Sequence, residues 1–368
     1  MSLASALARL SEVPVDSRPG VVNTHIHLPP NFSSFRSVGD AVEKAKGAGC
    51  VLLGASNYYD YEVYGPFVES CLDAGIAPLL GVEVVCWDRG LADHGRRAND
   101  PSNPGKVYLC GKATTRLAPM SARAAQILGK IRDRDRDRLR SMADRLWAVL
   151  GLPQGRAWDA VVDQVLGTSD YACERDRVVP QERHLAQAAF VELTALGSGA
   201  VERALGEPTV GSSDPETLQD AIRSRFLKVG KPAYADETYV SFDEAVDLIG
   251  ELGGVVCYPV LADGALPRGD WETDPTVLTG VLRERGIDWA EFIPNRNSPE
   301  VLEQFVDCLT RNGIRCTAGT EHNTPEGPSL DPRCKGGGPV PERCRNIFAE
   351  SAWELAAIQA NCLAEARA

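Results

Sequence analysis

Val21-Val22-Asn23-Thr24-His25-Ile26-His27-Leu28 is the stretch from which the rest of this 368-residue chain is best read. An apolar run of strand character ends there in two of only five histidines, spaced two apart. Side chains alternate faces along a strand, so His25 and His27 project the same way and two imidazoles can reach one cation. Taken alone, the pair reads equally well as two hydrogen-bonded core or turn residues. The other strand ends decide between the two.

Six further short apolar runs follow, at residues 51–55, 77–85, 106–110, 254–258, 290–293 and 314–318. Their hydrophobicity is near-continuous rather than alternating, as expected of parallel strands covered on both faces. Between most of them lie segments with apolar residues at helical spacing, at 40–47, 65–74, 241–252, 274–285 and 298–312, several of which stop at Gly or Asn. The repeated β-α order predicts an α/β fold whose seven strands form a parallel sheet or a TIM-like barrel. From 113 to 237 no strand is evident and several amphipathic helices are, so this region reads as a helical cap inserted into a barrel made of residues 1–112 and 238–368. The alternating Asp and Arg of residues 132–140 are read as a solvated helix face. Residues 344–368 read as a terminal helix packed on the outside.

Composition narrows the function. A net charge of −12 and a pI near 5.0 argue against a grip on nucleic acid, which needs clustered Lys and Arg. No apolar run reaches the ~20 residues of a membrane span, and the first twenty residues lack the pattern of a secretion signal. A cytoplasmic protein acting on a small molecule, without membrane or nucleic-acid partners, is expected; the oligomeric state is open, a homo-oligomer included. The eleven cysteines, an odd number without a C-x-x-C pair, read as reduced thiols.

In a parallel barrel the C-terminal strand ends gather around one mouth, where residues remote in sequence converge. Here those ends carry polar groups: Glu83 after Gly81-Val82, Tyr258 in Cys257-Tyr258-Pro259, Arg296 and Asn297 after Pro294-Asn295, and Glu321, His322 and Asn323 after Gly319-Thr320. His25, His27, Glu83, Glu321 and His322 form a mixed nitrogen and oxygen set, which suits zinc, manganese or iron better than calcium or magnesium. In the cap, Arg183 and His184 would add a cationic clamp and an acid/base group if that region folds over the mouth. His94 is read as solvent-facing.

These strand-end residues resemble the PHP superfamily, named for its polymerase-associated and histidinol phosphatase members. His25-Ile26-His27-Leu28 is similar to its first motif, Gly81-Val82-Glu83 to its Gly-x-Glu motif, residues 253–259 to the strand that normally ends in His-Pro, and Thr320-Glu321-His322-Asn323 to its terminal Asp-x-His. The resemblance covers residues 21–111 and 240–323. It implies a distorted (β/α)7 barrel and hydrolysis of phosphate esters at two or three metals. Three of the nitrogen ligands it implies are replaced, since Ser56-Asn57 stands in place of Asp-His, Tyr108 in place of a histidine, and Tyr258 in place of the His-Pro histidine. Either His322 or Asn323 matches the last family histidine. With so many ligands missing, one or two divalent ions per chain are expected rather than three.

The leading expectation is therefore a metal-dependent hydrolase acting on a small polar, phosphorylated or sugar-like substrate. Glu83 or Glu321 would orient or deprotonate water, and His184 or Tyr258 would protonate the leaving group. Arg183, Arg296, Asn297, Asn57 and Asn323 would contact substrate. Two alternatives stand beside it: a metal-dependent sugar or sugar-acid isomerase or lyase, and an inactive PHP-like binding module.

Overall fold

The computed structural model describes residues 2–12, 16–167, 173–197, 199–206, 214–323 and 327–366. The chain divides into two compact units, one made of Met1–Leu28, Ser34–Leu128 and Tyr239–Ala368, the other of Pro29–Ser33 and Gly129–Thr238.

In the first unit seven strands hydrogen-bond in chain order: β1 (Val21–Ile26), β2 (Cys50–Tyr58), β3 (Ala77–Trp87), β4 (Lys106–Lys112), β5 (Val255–Val260), β6 (Trp289–Phe292) and β7 (Arg315–Ala318). A parallel bridge between Ile26 and Glu321 brings the chain beyond β7 back beside β1, so the sheet is a nearly closed barrel. The two-residue strand Val240–Ser241 pairs with the end of β3. The helices between strands begin where the sequence supplies a cap. Ser37 accepts the Asp40 N–H at the start of Val38–Gly47, and Ser241 with Glu244 forms a reciprocal capping box on Phe242–Glu251. Tyr64–Ala74 ends at Gly75, whose φ of 73° favours glycine.

Two expectations about this unit are corrected. β4 runs antiparallel to both β3 and β5, not parallel. The chain leaving β3 turns through the short helix Arg89–Asp93 and comes back at the same end of the sheet, where the Asp88 N–H donates to the Gly105 carbonyl at 2.8 Å. β4 is buried along almost its whole length although antiparallel, and such a strand leaves the same near-continuous apolar run as a parallel one, so hydrophobicity alone does not give the direction. The second correction concerns the C-terminal helix, Glu342–Glu365. Its Ala352, Leu355 and Ala356 pack with Val22, Leu52 and Leu79 near the strand starts, so it plugs the bottom of the barrel instead of lying on its outside. Gln359 fixes it there, accepting the Leu80 N–H at 2.7 Å and donating to the Pro78 carbonyl at 2.9 Å.

Residues 113–128 belong with the barrel unit. The helix Ala122–Leu150 starts there, tied by Ser121 to Glu251 at 2.6 Å and by Arg123 to Asp247 at 3.1 Å. The second unit is helical, with a core built on Leu146, Trp147, Val161, Leu185, Ala189 and Ile222. His184 lies at the start of its helix Glu182–Ala195. Nδ1 accepts the Gln181 N–H at 2.9 Å, and the ring also hydrogen-bonds the Pro30 carbonyl. Burial lowers its pKa to about 4. An unfolded histidine titrates near 6.5, so the unfolded chain takes up a proton that the native one refuses as pH falls from about 6.5 to about 4. Stability contributed by the neutral ring is intact above that window and declines through it, by up to about 3 kcal/mol. In urea melts at pH 7 and pH 4.5, His184→Gln should therefore lose less stability on acidification than the parent protein. Equal losses in the two would refute this.

Candidate metal centre

The barrel lumen is lined by side chains that alternate inward along each strand, and β1 departs from strict alternation. Asn23 pairs with Leu53 and Ile26 with Ala55, so three steps on β1 match two on β2. One extra residue is accommodated as a bulge. As a result Thr24 and His25 both turn toward Glu291 of β6: Thr24 Oγ1 donates to Glu291 Oε1 at 2.6 Å, and His25 Nδ1 meets Oε2 at 2.6 Å. His27 resumes the inward face. Gly319, just after β7, permits the close approach of β1, since a Cβ there would lie 2.2 Å from the Cβ of His25.

His25, His27 and Glu83 converge as the sequence predicts. Their donor atoms are mutually close, with His25 Nε2 to His27 Nε2 at 3.3 Å, His25 Nε2 to Glu83 Oε2 at 3.5 Å and His27 Nε2 to Glu83 Oε2 at 3.1 Å. All three side chains are buried. Donors held about 2.0–2.1 Å from a tetrahedral zinc lie roughly 3.3–3.4 Å from one another, so the set fits one ion without rearrangement. Two details strengthen the fit. The buried Glu83 Oε2 accepts no hydrogen bond of acceptable geometry despite its two imidazole neighbours, a costly arrangement unless a cation offsets it. With Nδ1 committed to Glu291, His25 turns Nε2 toward the cluster, the pattern of a metal-ligating histidine braced by a carboxylate.

Electrostatics within the cluster are strongly coupled. Burial and Lys112 oppose charge on His25, but the Glu291 and Glu83 carboxylates outweigh them and raise its pKa to about 9. Glu83 is held well below the usual carboxylate range, against the effect of burial, by His25 and His27. Glu291 is pulled down to about 2, again against burial, by Lys112 and His25. Tyr58 stacks on His27 with ring centres 5.2 Å apart and hydrogen-bonds Glu83.

Glu321 lies at the rim beside this set. The His27 N–H donates to its carbonyl at 2.8 Å, and its own N–H donates to the His25 carbonyl at 2.8 Å. Its carboxylate is held by Arg296 and by Asn323 Nδ2, the latter at 2.9 Å, and is outside the three-donor group. Glu321 and His322 both adopt left-handed backbone, with φ of 60° and 54°, a strained conformation for residues with a Cβ. His322 is not brought into the cluster: Nδ1 meets Thr320 Oγ1 at 2.7 Å, the ring stacks on Phe35, and burial lowers its pKa to about 4. Thr324 and Pro325, which follow that motif in the sequence, lie outside the described residues.

Several predicted site residues are engaged elsewhere. Tyr258 is on the opposite face of β5 from Cys257, packed by Trp271, and donates to Glu272 at 2.9 Å. Asn57 spends its whole amide on the backbone of Leu28, accepting at 2.8 Å and donating at 2.9 Å, so it anchors the end of β1 and does not face substrate. Asn297 donates to the Leu261 carbonyl at 2.7 Å and to Asp263 at 3.0 Å. Arg183 pairs with Asp220 at 3.1 Å and covers the ring of Phe32, and His184 caps its helix as described. In each case a nearby polar group claims the hydrogen-bonding capacity that the residue type had suggested for chemistry. Sequence reading also missed Thr24, Tyr58, Lys112 and Glu291. The signal for the last two was present: a charge inside an otherwise apolar buried strand requires a partner of opposite sign.

The buried His25, His27 and Glu83 give this barrel a donor set that could hold a metal ion. No sequence-family profile matches the chain, and no curated protein sequence resembles it significantly. Solved structures do share its fold. An amidohydrolase from Chromobacterium violaceum superposes with a TM-score of 0.57 at 18% identity, over 89% of this chain and 96% of its own. A candidate metal-dependent phosphoesterase from Bifidobacterium adolescentis superposes with a TM-score of 0.58 at 17% identity, over 91% of this chain and 98% of its own. The fold is thus a nearly closed seven-stranded α/β barrel that this chain shares with both structures.

Proposed function

We propose that the protein is a metal-dependent hydrolase of a small polar, phosphorylated or sugar-like substrate. The observation that carries this reading is the mutual 3.1–3.5 Å spacing of the His25, His27 and Glu83 donor atoms at the mouth of the barrel. A divalent cation bound there, zinc, manganese or iron by the chemistry of its donors, lowers the pKa of water towards ~7 and polarises a substrate oxygen. His25 and His27 hold their lone pairs on the site, with His25 oriented by Glu291. Glu83 supplies the anionic donor and is itself positioned by Tyr58. Glu321, paired with Arg296, receives the proton of the attacking water. Arg296 exchanges part of its bond to Glu321 for the oxygens of an anionic substrate. The names of the two structural neighbours, an amidohydrolase and a candidate phosphoesterase, support hydrolysis without specifying the bond cleaved.

The test is turnover of a panel of phosphate mono- and diesters, lactones and amides by protein stripped with a chelator and then reloaded separately with zinc, manganese or ferrous iron. Hydrolysis of at least one substrate class that disappears on stripping and returns on reloading is expected. Absence of metal-dependent turnover across the panel would reject the reading.

A further inference from the structure

Beneath the donor set lies a second group that the proposed reaction does not use. His25, Cys110 and Glu291 also place three ligand-type atoms close together, with Cys110 Sγ 4.0 Å from His25 Nδ1. By composition alone this is another candidate ion position. Three observations show how it is filled. The Nδ1 of His25 is already committed to Glu291 at 2.6 Å and cannot also offer a lone pair to an ion. Cys110, fully buried, sets its Sγ against that same committed nitrogen. The third is Lys112, which is wholly buried and already delivers a positive charge to Glu291.

The fit of Lys112 is complete. Its ammonium has three donors, and three acceptors receive them: Glu291 Oε1 at 2.8 Å, the Thr24 carbonyl at 2.9 Å and Ser56 Oγ at 3.0 Å. Glu291 is equally satisfied, taking Thr24 and Lys112 on Oε1 and His25 on Oε2. The chain of contacts therefore runs Lys112, Glu291, His25 and then the open Nε2 side of the three-donor set. Antiparallel β4 makes this possible: its register sets Cys110 opposite Glu83 and Lys112 opposite Gly81, two residues deeper in the barrel.

We propose that the barrel takes a single divalent ion per chain, and that the Lys112 ammonium is a resident cation occupying the neighbouring position where a second ion would otherwise be held. Glu291 is the positioning residue of this arrangement, carrying the charge of Lys112 on one oxygen and fixing the orientation of His25 with the other. The proposal deepens the hydrolase reading, because it concerns the same His25, but it is tested by binding and not by turnover.

Chelator-stripped protein is titrated with Zn²⁺ against a chromophoric competitor and, separately, with Co²⁺ while its visible spectrum is recorded. The parent protein should take up one tight equivalent, and its Co²⁺ bands should stop growing at that point. A second tight equivalent of either ion would overturn the single-ion assignment. In Glu291→Gln, which keeps the side-chain shape, Zn²⁺ affinity should fall by about 10–100-fold with the stoichiometry still one, the range found when an outer-shell partner of a ligating histidine is lost. The Co²⁺ spectrum should change as His25 loses its brace. Unchanged affinity together with an unchanged spectrum would overturn the role of Glu291. One tightly bound ion without hydrolysis would leave this proposal intact and reject the reaction, whereas hydrolysis with two tight ions would do the reverse.

Discussion

Lys112→Met is expected to lower the unfolding free energy by about 3–5 kcal/mol, the usual cost of removing one partner from a buried ion pair. Methionine fills most of the lysine volume, so the loss does not come from a cavity. It comes from Glu291, which is fully buried and keeps only Thr24 and His25 as partners once the ammonium is gone. The Thr24 carbonyl and Ser56 hydroxyl lose a donor in the same step. Pairing the change with Glu291→Leu should recover a large part of the loss, because replacing both buried charges by apolar groups is often near neutral. Urea unfolding of the two single variants and the double variant measures this coupling. A single variant within 1 kcal/mol of the parent protein would show that the network does not bear on stability.

Glu83→Gln should abolish metal-dependent hydrolysis and weaken Zn²⁺ binding by more than the roughly 100-fold that marks loss of an outer-shell partner, since here an anionic donor is removed from the ion itself. The amide keeps the volume and the contact with Tyr58 but brings no negative charge. It also sets an NH₂ or a neutral carbonyl against two imidazole nitrogens 3.1 and 3.5 Å away. Because the strand register around Glu83 is fixed by backbone pairing on both sides, the far-ultraviolet circular dichroism of the variant should match that of the parent protein. A variant that hydrolyses substrate at the parental rate with bound metal would remove Glu83 from the site.

Much of this arrangement is legible before any coordinates. Apolar runs separated by capped helices mark the strands, and rare histidines at strand spacing, with Glu83 closing another run, mark the donors. These signals survive because burial and ligation each restrict the residue type strongly. Direction is different: the run Lys106–Lys112 looks the same whichever way it is laid, and only the short return path through Asp88 and Gly105 makes it antiparallel. Polar side chains such as Asn57, Tyr258 and His184 are also hard to assign from sequence. Their chemistry announces a capacity for hydrogen bonding, but the partner is selected by whichever backbone or carboxylate group the fold leaves nearby. The residues that escaped notice, Lys112 and Glu291, were concealed inside segments whose average is apolar, although each is a charge that such a segment tolerates only with a counter-charge.

The surplus residue in β1 gives the metal site a counting rule. From Val22, an unbroken strand would put positions 24 and 26 in the lumen and turn 25 and 27 away; the additional step reverses that parity from His25 onward. Deleting Thr24 would remove the surplus and move His25 and His27 into the lumen-facing slots 24 and 26 of an unbroken strand, so both imidazoles would stay inside and only the Thr24 bond to Glu291 would be lost. Chains of this fold that share the His-x-His spelling therefore build the same centre either with this offset or with one residue fewer between the strand start and the first histidine.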